Sequence, residues 1–547
     1  MSDSVVIGIN FGVTNSSIGI LGKNGHFSVI ANADGDRMIP NAIGFSDEEE
    51  FCGSQAAHQV VRNPKNTLQA FRNYLGKSFT EISVPSDAAH PDMISKDGAP
   101  AYKVEFKGKE HIVTVPEAAS KQLKHIHEEA EAYLGSKIAG AVLAVPVYFT
   151  DKQREELRKA ATAAGINVLQ IIQEPVAAAL AYNFGQEVAK NDAQDKTALV
   201  LDMGATSFDI TILNSRNGIY TVLETAHDVT IGGESFDQEL VKFVAAEFKK
   251  KTKIDVANNK KSLLKIKTSV EITKKNLSRT PNAPCSVESV AEGMDYHATI
   301  ARMRMELMCN KLYAKCNELI NHVLEKAKIT AGAIDEILLV GGATRMPKFQ
   351  NRLRDIFPET LIRTDVESDE AIAIGCAAQA SLIAGFEKED IEASTKEAVT
   401  VTPHTVKPIG VVGSKGEFIT IIPDHTPLPV KRVFEFGNAE EGQAAVYFAL
   451  FEGEQDPLPV KEEKPAKPAK ENDDDDSEEE EEDEIVVAKP TYHQTTQLAE
   501  VVLAGLPAGA KAGSLKIEAT VQVDVTNKVT ITLREKSSGK QVRAQSA

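Results

Sequence analysis

The sequence has 547 residues, 42% of them hydrophobic and 26% charged, and a formal net charge of −18, values that predict a soluble protein of several domains. Twelve of the fourteen residues in 471–484 are acidic, and removing those charges from −18 leaves −6, so we do not expect autonomous nucleic-acid binding. The chain has no apolar stretch of about 18 residues that would span a membrane and no opening signal sequence. Its five cysteines, none in a C-x-x-C pair, indicate reduced cytosolic thiols rather than a zinc site.

The first predicted element is a β-hairpin, VVIGINFGVTNSSIGIL at 5–21. An apolar strand ends at Asn10, a turn carries Gly12 and the hydroxyl of Thr14, and a second apolar strand follows. A turn with such small side chains lets backbone N–H groups approach a phosphate closely.

Strands and helices then alternate. AGAVLAVPVYFT contains a buried strand that ends at Pro146, and DKQREELRKAATAAGI predicts an amphipathic helix with Asp151 as its N-cap and Gly165 at its end. IIQEPVAAALAY places a turn at Glu174 before an alanine-rich helix. This alternation predicts an α/β lobe over about 1–185.

A second hairpin, TALVLDMGATSFDITIL at 197–213, repeats the first. Asp202 ends one strand and Asp209 opens the next, so these acids could hold a magnesium ion through waters. One such motif alone is equally consistent with an ordinary hairpin that has a polar tip. Two copies about 190 residues apart suggest two related lobes with a nucleotide between their turns.

The second lobe is predicted over about 195–385. Gly232 and Gly233 open a helix whose N-terminus could face an anion, and the lysine-rich stretch 262–278 predicts another helix. A long helical stretch at 302–329 carries Met and Leu at a spacing typical of core packing. EILLVGGATRMPKFQ supplies a third small turn able to reach phosphate or ribose.

The rest of the chain predicts a different architecture. Residues 386–401 form a polar linker, and 402–454 and 498–533 show short alternating strands with Gly and Pro turns. The stretch 455–484 between them is acidic and low in complexity, which predicts disorder.

In combination, these motifs resemble those of the seventy-kilodalton heat-shock chaperones, the DnaK-type family. IIQEPVAAALAY, IGGESFD, ILLVGGATRMPK and DEAIAIGCAAQA carry the resemblance, which covers nearly all of 5–385. It implies an α/β fold with an actin-like, two-lobed ATPase domain at 1–385. A β-sandwich-type peptide-binding domain would follow at 402–547, truncated and without the family's helical lid. The implied cofactor is ATP, with Mg²⁺ as a possible companion.

The resemblance also implies roles by position. The catalytic positions would be Glu174, Asp202 and Arg72. The residues around a magnesium ion and its waters would be Asn10, Asp202 and Asp209. The nucleotide contacts would be Gly12, Val13, Thr14, Asn15, Gly204, Ala205, Thr206, Ser207, Gly232, Gly233, Glu271, Lys274, Ser278, Gly341, Gly342, Ala343, Arg345 and Asp369.

Several of these positions depart from the family pattern. The family has Asp at the position of Asn10, Thr at Val13 and Lys at Arg72. Its second turn reads D-L-G-G-G-T, where this chain has Ala205 and Thr206. Phosphoryl transfer depends on positioning and charge stabilisation, and a misplacement of about 1 Å can cost roughly 100-fold in rate. We therefore expect ATP binding to persist and hydrolysis to be largely lost; the alternative is slow turnover that tolerates these changes.

The shortened chain, the altered site and a linker without the family's leucine run resemble the atypical fungal subgroup of the ribosome-associated complex. This resemblance implies a cytoplasmic co-chaperone or scaffold that pairs stably with a zuotin-like J-domain protein and meets the ribosome indirectly. The pair would stimulate a second, catalytically active heat-shock chaperone that acts on nascent polypeptides. Two alternatives are an active ATP-driven peptide chaperone and a nucleotide-exchange factor of the larger relatives, whose acidic insertion resembles 461–484.

Overall fold

A computed structural model of the chain describes residues 5–82, 90–185, 196–216, 219–387, 389–390, 403–424, 426–455, 491–507 and 509–546. The chain divides into two compact units, Met1–Glu397 and Ala398–Ala547. The predicted disorder at 455–484 lies outside the described residues from 456 onward, and so does most of the predicted linker at 386–401.

The first lobe of the first unit consists of short strands and four described helices. Its strands are β1 (Val5–Phe11), β2 (Asn15–Leu21), β3 (Phe27–Val29), β4 (Ile39–Pro40), β5 (Ala42–Phe45), β6 (Glu50–Cys52), β7 (Thr67–Gln69), β8 (Asp92–Lys96), β9 (Ala99–Phe106), β10 (Lys109–Thr114), β11 (Ile138–Val145) and β12 (Val168–Gln173). Its helices are α1 (Gly53–Ala57), α2 (Val115–Leu134), α3 (Asp151–Ala163) and α4 (Glu174–Ala181).

The second lobe follows with longer helices. Its strands are β13 (Lys196–Met203), β14 (Phe208–Arg216), β15 (Ile219–Asp228), β16 (Asn282–Ala291), β17 (Met294–Ala301), β18 (Glu336–Val340) and β19 (Leu361–Arg363). Its helices are α5 (Gly233–Thr252), α6 (Lys260–Leu277), α7 (Arg302–Met308), α8 (Asn310–Ala327), α9 (Pro347–Ile356) and α10 (Ala371–Ile383).

The central sheets of the two lobes share one topology. The first sheet has the order β3-β2-β1-β11-β12 and the second the order β15-β14-β13-β18-β19. In each, the first three strands are antiparallel neighbours and the last two run parallel to the third. This repeat confirms the predicted α/β fold with an actin-like, two-lobed domain.

The same topology places the predicted site residues at one edge of each sheet. In open α/β sheets, ligands bind beyond the carboxyl ends of the strands. Gly12 follows β1 and Glu174 follows β12, while Gly204 follows β13 and Gly341 follows β18.

Helices α4 and α10 pack in the apolar core between the two sheets. They cross so closely that a Cβ on Gly375 would lie 1.7 Å from the carbonyl oxygen of Ala177. Helix α10 also covers β1, where a Cβ on Gly8 would lie 2.1 Å from the amide of Ala377. The last helix of the predicted second lobe is therefore part of the packing of both lobes.

One local prediction was wrong. The N-cap of α3 is Thr150 rather than Asp151, because the Thr150 hydroxyl accepts from the Gln153 amide at 3.3 Å in a capping box. The predicted helical stretch at 302–329 is confirmed as two helices, α7 and α8, which Cys309 (φ −92°, ψ 6°) separates.

All five cysteines are free thiols, and four of them are buried. Within the described ranges, no group of His, Cys, Asp and Glu side chains is arranged to hold a metal ion. No helix in that same part of the chain combines the length and apolarity of a membrane span.

The second unit is a β-sandwich. Its strands are β20 (Ile409–Val412), β21 (Phe418–Ile422), β22 (Val430–Phe436), β23 (Ala445–Gln455), β24 (Tyr492–Ala504), β25 (Ile517–Val523), β26 (Val529–Glu535) and β27 (Gln541–Gln545). The sheets β21-β20-β23-β24 and β22-β25-β26-β27 bury a common core. The fold class is confirmed, and the later strands extend beyond the predicted 498–533 at both ends.

Candidate nucleotide site

The turn between β13 and β14 is fastened to the start of α5. The Gly233 amide donates to the Gly204 oxygen at 2.9 Å, and the Glu234 amide donates to an oxygen of the same turn. A Cβ on Gly232 would lie 2.5 Å from the Ala205 oxygen, so this approach requires glycine. The positive end of the α5 dipole therefore borders the turn.

The two turns differ in which of their polar groups are engaged. Among the described residues, the amides of Ala205 and Thr206 have no hydrogen-bond acceptor. In the first turn, the Asn41 side chain donates to the Gly12 oxygen at 2.7 Å and accepts from the Ser16 hydroxyl at 2.7 Å. Small turns with available N–H groups are anion-binding structures.

Arg72 and Glu174 form a buried ion pair at 2.6 Å, and the two residues are 7% and 9% exposed. The Arg72 guanidinium also lies 5.3 Å above the centre of the Phe149 ring. Burial alone would lower the pKa of Arg72, but the Glu174 carboxylate raises it above its usual value. Burial raises the pKa of Glu174, and Arg72 opposes that rise. Arg72 therefore stays charged and is directed at a carboxylate of its own lobe.

Three predicted carboxylates meet where the lobes face each other. Glu174, Asp202 and Asp209 line a cavity of about 20 Å³, which has room for about one water. Burial raises the pKa of Asp202 well above its usual range, and the Glu174 and Asp209 carboxylates add to the rise. The geometry thus brings the predicted acidic residues together.

His227, which the sequence reasoning missed, is the partner of Asp209. Its Nδ1 lies 2.5 Å from Asp209 Oδ1, while Asp209 Oδ2 accepts from the Ser207 hydroxyl at 2.9 Å. The His227 ring stacks on Tyr148, with centroids 3.9 Å apart and planes inclined by 33°. Tyr148 follows β11 of the first lobe and His227 lies in β15 of the second, so the stack joins the lobes. A histidine two residues past Thr225, shortly before the Gly-Gly pair, was the available signal.

On the predicted adenosine side, Lys274 is already paired. Its Nζ donates to Asp237 at 2.7 Å and to the Gly233 oxygen at 2.7 Å. Asp237 is a second residue that the sequence reasoning missed. Glu271 pairs with Lys275 one turn along α6 at 2.8 Å. The bonds of Lys274 hold the lysine-rich helix α6 against the start of α5.

The opposite wall carries Arg345, which pairs with Glu367 at 2.5 Å and with Asp369. Arg279, next to Ser278 at the end of α6, and Arg345 line one cavity of about 260 Å³. The end of α6 and the turn that holds Gly341, Gly342 and Ala343 thus face a shared opening of a size suited to part of a ligand.

The backbone amides, the α5 N-terminus and the larger cavity suit a phosphate-bearing ligand. One oxygen of Asp209 accepts from the Ser207 hydroxyl, and the other lies 2.5 Å from His227 Nδ1. A carboxylate has about four lone-pair sites, so these two contacts leave sites that waters of a magnesium ion could use. The predicted magnesium shell of Asn10, Asp202 and Asp209 stays a prediction.

A two-lobed nucleotide-binding domain joined to a β-sandwich defines the class of protein. The family model described as Hsp70 protein matches residues 6–464, and the chain belongs to the Hsp70 family. This confirms the family resemblance seen in the sequence. The family is one that binds ATP and generally uses Mg²⁺.

Curated relatives match over most of their length. A heat shock protein 70 homolog of Schizosaccharomyces pombe is 36% identical over 100% of this chain and 97% of its own. The ribosome-associated complex subunit SSZ1 of Saccharomyces cerevisiae is 36% identical over 84% of this chain and 87% of its own. A ribosome-associated molecular chaperone of Eremothecium gossypii is 33% identical over 98% of this chain and 81% of its own.

Proposed function

We propose that the chain binds ATP between its lobes, hydrolyses it little or not at all, and serves as a co-chaperone and scaffold. Its stable partner is a J-domain protein, and it acts at the ribosome in the cytoplasm to stimulate a separate ATPase chaperone. The observation that carries the proposal is the buried ion pair between Arg72 and Glu174. The name of the Saccharomyces cerevisiae relative supports the ribosomal setting.

The ion pair bears on hydrolysis because phosphoryl transfer relies on positioned charge. Arg72 occupies the position of the family's catalytic lysine, and its planar guanidinium is not interchangeable with an ammonium group. The guanidinium pairs with the Glu174 carboxylate and stacks on the Phe149 ring. Neither charge is thus directed toward a phosphate or an attacking water.

The cleft retains what binding requires. The phosphates of bound ATP would bring negative charge to the turn between β13 and β14. The amides of Ala205 and Thr206 would donate to it, and the α5 N-terminus at Gly233 would add its dipole. Arg345 and Lys274 would stand at the base and ribose. Binding spreads over many contacts, so it tolerates departures that catalysis does not.

The β-sandwich offers a place for a partner segment. Strand β20 pairs with β23 only at Ile409–Gly410 against Phe451–Glu452, whereas β24 pairs along the length of β23. The half of β23 around Tyr447 therefore has a strand on one side only, within the described residues. An extended segment can add to such an edge through main-chain hydrogen bonds. We assign this edge to the J-domain partner or to nascent peptide.

A reconstitution tests the scaffold function. Phosphate release is measured for the chain, a zuotin-like J-domain protein and a ribosome-bound heat-shock chaperone, and then with each left out. The chain should add no release of its own and should raise that of the chaperone when the J-domain protein is present. A stoichiometric J-domain protein in pull-downs supports this interpretation, whereas a conventional chaperone bound alone indicates exchange-factor activity.

An active ATPase chaperone is the second candidate. The observation in its favour is that Glu174 and Asp202 still border a cavity with room for about one water. Phosphate release by the chain alone, at the rate of its catalytic partner, would favour this candidate.

A further inference from the structure

The segment that joins α5 to α6 concentrates positive charge. Residues 249–261 contain six lysines and one acidic residue, Asp255, so the segment carries a net charge of +5 in a chain whose net charge is −18. All six lysines are exposed. These six, called here the basic corner, are Lys249, Lys250, Lys251, Lys253, Lys260 and Lys261.

The basic corner has an ordered support. The Lys253 amide donates to the Lys249 oxygen at 2.9 Å and closes the end of α5. The Asn259 amide donates to the Val256 oxygen at 2.9 Å, and the Val256 side chain is buried in the core of the second lobe. The Asn259 side chain also caps α6 by accepting from the Ser262 amide at 3.1 Å. A preorganised backbone lowers the cost of ordering these residues when a partner binds.

Two of the six lysines have partners within the protein. Lys249 pairs with Asp255 at 2.5 Å. The Lys251 ammonium lies 5.0 Å from the centre of the Tyr296 ring. The other four ammonium groups make no ion pair or hydrogen bond to any residue that the structure describes. They belong to Lys250, Lys253, Lys260 and Lys261.

The stability of the two helices explains the lysines of α5 but not those of α6. Lys249, Lys250 and Lys251 lie in the last turn of α5, where the helix dipole favours positive charge. Lys260 and Lys261 lie in the first turn of α6, which has no acidic residue. At that end of a helix the dipole disfavours positive charge.

Lys253 also occupies a position that the local structure does not favour. Its φ of +68° is in the left-handed region, where the residue after a helix is most often glycine. Natural proteins break such local rules mainly at functional sites. A cluster of unpaired ammonium groups on an ordered support is suited to an anionic partner.

We propose that the basic corner binds the phosphate backbone of RNA and gives the chain a direct contact with the ribosome. Lysine ammonium groups bind phosphates as point charges. The segment 249–261 has no aromatic or arginine side chain that would stack on a base, so binding should depend little on base sequence. The choice of RNA over another polyanion rests on the ribosomal setting proposed above.

The net charge of the chain does not exclude this contact. Twelve acidic residues fall within 471–484 alone, and exposed charges are largely screened from one another beyond about 10 Å at 0.1 M ionic strength. A phosphate at the basic corner therefore responds to the lysines nearest to it. The expectation against autonomous nucleic-acid binding follows from the total charge and not from the positions of the charges.

The test titrates a fluorescently labelled RNA duplex of about 20 base pairs with the purified full chain and follows fluorescence anisotropy. If the four unpaired lysines neutralise about four phosphates, the logarithm of the affinity should fall against the logarithm of salt concentration with a slope of about −3. The affinity should then drop about 60-fold between roughly 50 and 200 mM salt.

A quadruple variant removes the four unpaired ammonium groups together. It combines Lys250→Gln, Lys253→Gln, Lys260→Gln and Lys261→Gln. Binding at low salt should weaken by at least about tenfold, and the salt dependence should flatten. Glutamine and lysine are similar helix formers, so circular dichroism should be unchanged.

The matched control changes the net charge by the same amount at scattered sites. It replaces four other lysines of the first unit that are exposed and have no ion pair among the described residues. These substitutions are Lys23→Gln, Lys65→Gln, Lys109→Gln and Lys311→Gln. The control should bind RNA within about threefold of the wild-type chain. An equal loss in the two quadruple variants would reflect total charge and would overturn the proposal.

The wild-type chain alone can also contradict the proposal. Absence of binding at low salt would overturn it, and so would displacement of the RNA by polyglutamate as readily as by unlabelled duplex, which would indicate an acidic protein surface as the partner. These measurements use neither ATP nor a J-domain protein. Their failure would therefore leave the scaffold function to its own reconstitution, and failure of that reconstitution would leave RNA binding measurable.

Discussion

Removing the charge of Arg72 should destabilise the first unit strongly. Arg72→Met leaves the Glu174 carboxylate buried without its 2.6 Å partner, and breaking a buried pair on one side costs about 3–5 kcal/mol. The lost contact with Phe149 adds about 1 kcal/mol, while the methionine side chain retains part of the packing. The net expectation is a loss of about 4 kcal/mol in the free energy of unfolding.

The double variant Arg72→Met/Glu174→Gln removes both charges and should recover most of that loss, because a buried ion pair contributes little relative to well-packed neutral groups. Lys103→Met is the control: its pair with Glu110 lies at the surface, and such pairs contribute about 0–1 kcal/mol.

Urea denaturation followed by circular dichroism at about 222 nm measures these differences, since the described helices all lie in the first unit. A shift of the midpoint at constant slope would report stability directly. If Arg72→Met cost no more than Lys103→Met, or if the double variant were as unstable as the single one, the ion pair would not have the role assigned to it.

Three further variants probe other parts of the molecule. Gly341→Ala should abolish binding of fluorescent ATP, because φ is +81° and the new Cβ would lie 2.3 Å from a carbonyl oxygen. Gly385→Ala, which lies after the end of α10 and outside the predicted nucleotide contacts, meets no atom within 4 Å and should bind normally. Lys274→Met leaves Asp237 buried and unpaired, so thermal melts should show a loss of about 3 kcal/mol and the probe should bind at least about tenfold more weakly. The hydroxyls and amides of the following serines hold the pKa of Glu535 at about 2, below the usual 4.5. Its contribution to sandwich stability is complete above pH 4.5 and is lost as the pH falls toward 2, and calorimetry of Glu535→Gln should show a flatter profile across that window.

The sequence was most informative where structure is local. Each hairpin could be predicted from an apolar strand, a glycine turn and a second strand, and the two copies predicted two related lobes. Strand ends then placed Glu174, Asp202 and Gly341 at one edge of the sheets. The positions of individual nucleotide contacts stay predictions, because the geometry shows the walls of the cleft and not the ligand.

The sequence was least informative where partners are distant in the chain. Tyr148 and His227 belong to different lobes, and nothing near either residue in sequence announces the other. The partner of Lys274 is Asp237 on another helix, so a lysine-rich face could be interpreted equally as solvated. Such pairs depend on how two sheets are set against each other, which a local pattern does not specify. The absence of a helical lid likewise stays a prediction.

A single turnover with radiolabelled ATP and the purified full chain, in which bound nucleotide and released phosphate are followed together, separates binding from hydrolysis. We expect ATP to stay bound and uncleaved, and Arg72→Lys to release more phosphate than the wild-type chain. Steady phosphate release by the wild-type chain, at the rate of a hydrolysing member of the family, would contradict the proposed loss of hydrolysis.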